Sequence, residues 1–133
     1  MDITNLEKWH FENDEESCNH ILSLVLDGKK RATPSSLLAY EKTGESVPQV
    51  DEISVITYWD GTPACIVKTT NVRIIRFCDM TYDIAKLEGE NDSLEDWRET
   101  HTAFWMDEGK RKGYTFSEEM PIVFEEFDVL EML

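Results

Sequence analysis

Lys29, Lys30 and Arg31 stand in a row, and the hydroxyl residues Thr33 and Ser35 follow them closely. A threonine or serine hydroxyl is a weak nucleophile until a neighbouring base takes its proton. A lysine can be that base only where burial or adjacent cations disfavour its charged form. Lys30 lies three residues from Thr33, within reach across a turn, and Lys29 and Arg31 flank it with charge of its own sign. The run also has a purely structural reading, because cations just past a helix end offset the negative pole of the helix dipole. What sets it apart is context: three cations occur together in a chain of formal net charge −15.

The elements that must position this run are legible from periodicity. Asn13 reads as a helix N-cap, with Glu16 three residues on completing a capping box. Cys18, Ile21, Leu22, Val25 and Leu26 share one helical face, and Gly28 is the stop. The cationic run therefore follows a helix C-terminus. Pro34 is expected to end any structure begun at Ala32 and Thr33. Ser35 or Ser36 then caps a short helix through Leu37–Tyr40 that Thr43-Gly44-Glu45 closes. Residues 53–59 are rich in β-branched and aromatic side chains, Asp60-Gly61 is a hairpin turn, and Ala64 onward answers as the second strand. Thr70-Asn71 marks a bulge or bend before the strand resumes at Val72–Phe77. A short helical pattern from Thr81 to Leu87 is interrupted at Gly89-Glu90-Asn91-Asp92. Ser93 caps a longer helix with Leu94, Trp97, His101, Phe104 and Trp105 on one face. A second basic run, Lys110-Arg111-Lys112, lies between Gly109 and Gly113 past that helix's end, and Ile122–Val129 is the closing strand. The fold class is α+β: a barrel-like antiparallel sheet of about five or six strands flanked by two or three helices.

Composition narrows the partners. At 133 residues the chain is expected to form a single domain spanning 1–133. No apolar run reaches the length needed to span a membrane, and the N-terminus lacks a secretory pattern, so a cytoplasmic location is expected and no membrane partner is. A strongly acidic surface repels a phosphate backbone, which excludes duplex DNA. It leaves a small ligand or a short single strand held where the few cations converge. Cys18, Cys65 and Cys78 are odd in number and widely spaced, against a disulfide framework. Cys18-x-His20 matches no zinc pattern, so neither a metal nor another cofactor is implied.

Four blocks carry a family resemblance: Gly28-x-Lys30-x-x-Thr33 after a helix, the β-hairpin, Glu90-Asn91-x-Ser93-Leu94 opening a helix, and Phe116-Ser117-Glu118-x-Met120-Pro121-Ile122-Val123 before the last strand. In order and spacing, from about Trp9 onward, they resemble the ASCH family (activating signal cointegrator homology domains). The resemblance implies a PUA-like β-barrel with a cleft beside the Gly-x-Lys loop, and nucleic-acid or nucleoside work. Relatives include proposed RNA-binding modules, ribonucleases acting on single-stranded RNA, and small amidohydrolases that deacetylate an acetylated cytidine. For the last group the family's catalytic lysine, threonine and glutamate align with Lys30, Thr33 and Glu90. Many relatives carry an arginine two residues past the threonine, where this chain has Ser35. In that reading Lys29, Arg31, Ser35, Tyr40 and Ser117 are the candidate ligand-binding residues. Glu90 would orient the lysine or move a proton to the leaving group.

A nuclease would instead need a general acid and base near a 2′-hydroxyl, for which Tyr40, Lys30 and Ser117 are candidates. The two basic runs would then line one groove, with Tyr40, Trp59 or Tyr114 stacking on bases. A non-catalytic interaction domain is the third expectation.

Overall fold

The computed structural model describes residues 1–133. Asp14, one residue later than the expected Asn13, opens the first helix, α1 (Glu15–Leu26). Its backbone is extended and its carboxylate accepts the Ser17 amide at 2.9 Å, which puts a full negative charge at the positive end of the helix. Cys18, Ile21, Leu22 and Val25 form the buried face, as the periodicity predicts.

Pro34 does not break what precedes it. Ala32–Ser36 is a strand, β2, in the register Thr33 opposite Glu125 and Ser35 opposite Val123. It lies at the edge of the sheet, where the missing proline N–H leaves no ladder position empty. Ser36 then caps α2 (Leu37–Thr43), accepting the Ala39 amide at 3.4 Å, and Gly44 ends it.

The sheet takes its order from a meander. Strand β3 (Ile53–Thr57) pairs antiparallel with β4 (Pro63–Arg76), and β4 with β5 (Pro121–Met132). The Asp60-Gly61 turn joins β3 to β4. The break foreseen at Thr70-Asn71 is a register shift between Thr69 and Asn71 inside one long strand, and a second lies between Ile66 and Val67. The N-terminal segment adds β1 (Lys8–Trp9) parallel to β3. The spatial order is β1-β3-β4-β5-β2. The α+β class and the strand number hold. The sheet is mixed rather than wholly antiparallel, and it does not close: β1 and β2 remain its two edges.

After β4 a 3-10 turn (Phe77–Asp79) leads to α3 (Tyr82–Ala85), a second 3-10 turn (Lys86–Glu88) and Gly89. Ser93 caps α4 (Leu94–Lys112) through the Asp96 amide. This helix continues through Gly109, so Lys110-Arg111-Lys112 form its last turn rather than a loop beyond it, complementing its dipole. Gly109 is not a stop. A side chain there would press on the main-chain oxygen of Tyr114, which folds back along the helix. There are thus four α-helices where two or three were expected; the additional ones are short.

Two apolar clusters hold the elements. Phe77, Met80, Trp97, Trp105, Ile122 and Phe124 join α4 to the sheet, while Ile21, Leu22, Val25, Ile56, Cys65 and Phe127 join α1 to it. A fully buried side chain of this size contributes about 1.5–3 kcal/mol. Both long helices are thereby pinned against the same sheet, and a cleft opens where they and β2 converge.

A candidate nucleoside cleft

The end of α1 folds the basic run inward. The amides of Lys29 and Lys30 both return to the Leu24 carbonyl, at 2.9 and 3.0 Å. The Arg31 amide donates to Leu87 O at 2.9 Å, drawing the Lys86–Glu88 turn alongside. Gly89 (φ 71°) completes the approach, because a Cβ there would drive into the main-chain carbonyl of Lys29. Glu88 and Glu90 therefore flank the Lys30 side chain from across the chain.

Lys30 is 1% exposed, an unusual state for a lysine. Its Nζ donates to Glu90 Oε2 at 2.6 Å and to the Glu88 main-chain oxygen at 3.4 Å, and it lies 5.6 Å from the centre of the Phe11 ring. An ammonium has three N–H donors, so one remains without a protein acceptor. Glu90 is 22% exposed on its side chain. The pair stands in the wall of a cleft of about 1200 Å³, which Thr33, Ser35 and Tyr40 also line. No hydrogen bond joins Thr33 to Lys30; the lysine is committed to Glu90 and Glu88.

The other predicted residues divide. Lys29 is exposed and Arg31 turns back to donate to the Val25 and Lys30 carbonyls at 2.9 and 2.8 Å; neither lines the cleft. Ser117 is also exposed and away from the lining. Of the second basic run only Lys112 reaches the cleft, and it is paired with Glu108 at 3.6 Å, while Arg111 pairs with Asp107. Among the aromatic candidates Tyr40 lines the cleft. Trp59 lies beyond the lining, edge-on to His10, and Tyr114 is buried with its hydroxyl donating to Glu108.

Eight carboxylates line the cleft against two lysines, Lys30 and Lys112. Three groups in it are shifted by their surroundings. Burial pushes the Glu125 carboxyl up from its ordinary 4.5; the Thr69 hydroxyl, donating at 2.6 Å, opposes this, while Glu52 and Glu7 add to it. Burial and then the charge of Glu90 raise Glu12. Burial raises the Tyr40 hydroxyl against a lowering hydrogen bond from Ser35. No group of three or more His, Cys, Asp or Glu side chains is arranged to hold a metal ion.

Sequence reasoning missed Glu88, Glu125 and the cleft-facing role of His101. His101 was legible as part of a helical face, but nothing in its spacing marks it as polar-bonded to a turn 13 residues away. Glu88 is one of 28 acidic residues and carries no local signal.

Comparisons with known proteins give the family and the fold. The model of the ASCH domain family matches residues 7–131. The chain is similar to the solved ASCH domain from Lactobacillus crispatus JV V101, at 38% identity and a TM-score of 0.86 over 95% of this chain and 80% of that one. It is also similar to a protein from Enterococcus faecalis V583, at 28% identity and a TM-score of 0.90 over 99% of this chain and 80% of that one. A hypothetical protein, 21% identical with a TM-score of 0.56 over 92% of this chain and 99% of that one, shares the fold alone. No curated protein matches the chain. No helix is long and apolar enough to cross a membrane.

Proposed function

The chain belongs to the ASCH domain family, and from that premise we propose that its cleft takes a modified nucleoside and hydrolyses an exocyclic amide, with an acetylated cytidine as the type of substrate. ASCH domains are thought to bind RNA, so a nucleobase is the natural chemistry to seek. The observation that carries the reading is the buried Lys30–Glu90 pair, with one N–H of Lys30 unspent, in the wall of a cleft. That N–H is suited to a carbonyl oxygen on the ligand, and Glu90, still partly open to water, to an amino group.

In this reaction the Thr33 hydroxyl oxygen attacks the acetyl carbon and its proton passes to the Lys30–Glu90 pair, whose 2.6 Å contact lets a proton move between the two. The amide C–N bond breaks and the leaving exocyclic nitrogen takes up that proton. Water then hydrolyses the acetyl ester on Thr33, giving acetate and the free hydroxyl. Thr33 and Lys30 line the same cleft, so one substrate can meet both.

The charge of the lining favours a free nucleoside over an RNA chain. Eight carboxylates against two lysines, each already paired with one of them, oppose a phosphodiester backbone. An uncharged nucleoside meets no such penalty. The test is incubation with acetylated cytidine and, separately, with short single-stranded RNA, with chromatography of the products. Cytidine and acetate released by the wild type, and by neither Lys30→Ala nor Glu90→Ala, is the expected result. Cleaved RNA beside an intact nucleoside would replace the amidohydrolase with a nuclease. Intact substrates in every sample would reduce the domain to a binding module.

A further inference from the structure

Behind the Lys30–Glu90 pair lies a second buried polar group that the reaction above does not use. His101, on α4, has both ring nitrogens engaged. Nδ1 is 2.8 Å from the main-chain oxygen of Trp97, which can only accept, so Nδ1 carries a hydrogen. Nε2 is 3.1 Å from Oε1 of Glu88, and Oε2 of the same carboxyl accepts from the Trp97 indole at 2.7 Å. The Nε2–Oε1 contact then needs one proton, on either atom. The pair is neutral both ways. Glu88 is fully buried, and the His101 ring stacks on Trp97 with centroids 4.5 Å apart.

Packing alone does not call for such a pair. Apolar residues of the same volume fill a buried site at no loss of stability, and often at a gain. What this pair does, and apolar residues would not, is hold one carboxyl at both oxygens, so that residue 88 cannot turn. The main-chain oxygen of that residue faces Lys30 Nζ at 3.4 Å, and the carboxylate two positions on takes Lys30 at 2.6 Å. His101 also lines the cleft.

We propose that Glu88 and His101 are positioning residues for the Lys30 site: a neutral, one-proton clamp that fixes residues 88–90 and so aims the unspent N–H of Lys30 at the ligand. The inference deepens the reading of the cleft and rests on it for its catalytic consequence. The clamp itself can be read without any ligand.

The test reads the side-chain nitrogen of Lys30 by NMR in the full chain, beside turnover of acetylated cytidine. Glu88→Gln keeps an acceptor for Trp97 and gives a donor to His101 Nε2, so the Lys30 ammonium signal persists and kcat stays within about twofold of wild type. His101→Phe keeps the ring on Trp97 but releases Glu88. The Lys30 signal broadens or is lost, and kcat falls about 10- to 100-fold with KM little changed. Should His101→Phe not fold, Glu88→Asp, one methylene too short to reach both partners, is expected to lose the same signal. An unchanged Lys30 signal in a folded His101→Phe or Glu88→Asp protein overturns the clamp, whatever the activity. Failure of the nucleoside reading shows separately, as wild-type protein that turns nothing over while the Lys30 signal still responds to these variants.

Discussion

A buried ammonium must find acceptors, and Lys30 has found two for its three hydrogens. Replacing it with methionine keeps most of the stem and removes the charge. Lys30→Met is therefore expected to abolish ligand binding and turnover while the protein stays folded. The stability lost, followed by urea denaturation, should be less than the about 3–5 kcal/mol typical of a broken buried pair, because Glu90 keeps 22% exposure and can be rehydrated. Glu125 gives the opposite kind of prediction. Its carboxyl is raised above 4.5, chiefly by burial, so the folded state holds its proton more tightly than the unfolded chain does. Stability from this group is present below the unfolded value and is lost as pH rises through the folded one. Glu125→Gln, which keeps an acceptor for Thr69, should raise the melting temperature at neutral pH and flatten its fall with rising pH above the usual carboxylate range. A variant that melts at or below the wild-type temperature at neutral pH would show that burial does not penalise this carboxylate.

At the scale of elements, the site depends on one turn being pressed against one helix end. Gly89 makes that possible: its φ of 71° suits glycine, and a Cβ would collide with the Lys29 carbonyl. Gly89→Ala should cost about 1–3 kcal/mol by urea denaturation and, more tellingly, weaken ligand binding by parting Glu90 from Lys30. Ser93→Ala, at the start of α4, should cost about 1 kcal/mol through its lost cap and leave binding nearly intact. The pair of variants separates damage to the turn from damage to the helix. Elements of this kind differ in how well a sequence announces them. The face of α1, the Asp60-Gly61 hairpin, the Ser93 cap and the bulge near Asn71 rest on local rules, and each is where those rules put it. The Asp14 cap is one residue from the expected Asn13 and obeys the same local rule. The passage of α4 through Gly109 and the strand through Pro34 depend on a neighbouring backbone and an edge position, and only the folded chain supplies these. The parallel pairing of β1 is longer in range still.

For the whole molecule the governing fact is charge. A formal net charge of −15 and a carboxylate-rich cleft predict that binding of an uncharged nucleoside will barely respond to added salt, whereas RNA held through its backbone would weaken steeply. Calorimetric titrations at low and high salt check this. The family resemblance picked out Lys30, Thr33 and Glu90 together, and all three line one cleft. It placed the surroundings poorly: Lys29, Arg31 and Ser117 lie outside the lining, and Glu88 and Glu125 are indistinguishable from surface acids until burial singles them out. The most direct measurement is an NMR titration of isotope-labelled protein with acetylated cytidine. A nucleoside held in the cleft is expected to give saturable shifts confined to its lining, at Lys30, Thr33, Tyr40, Glu90 and Asn91, that vanish in Lys30→Met. Shifts centred on the exposed Lys29 and Lys110–Arg111 surfaces, or none at saturating nucleoside, would contradict it.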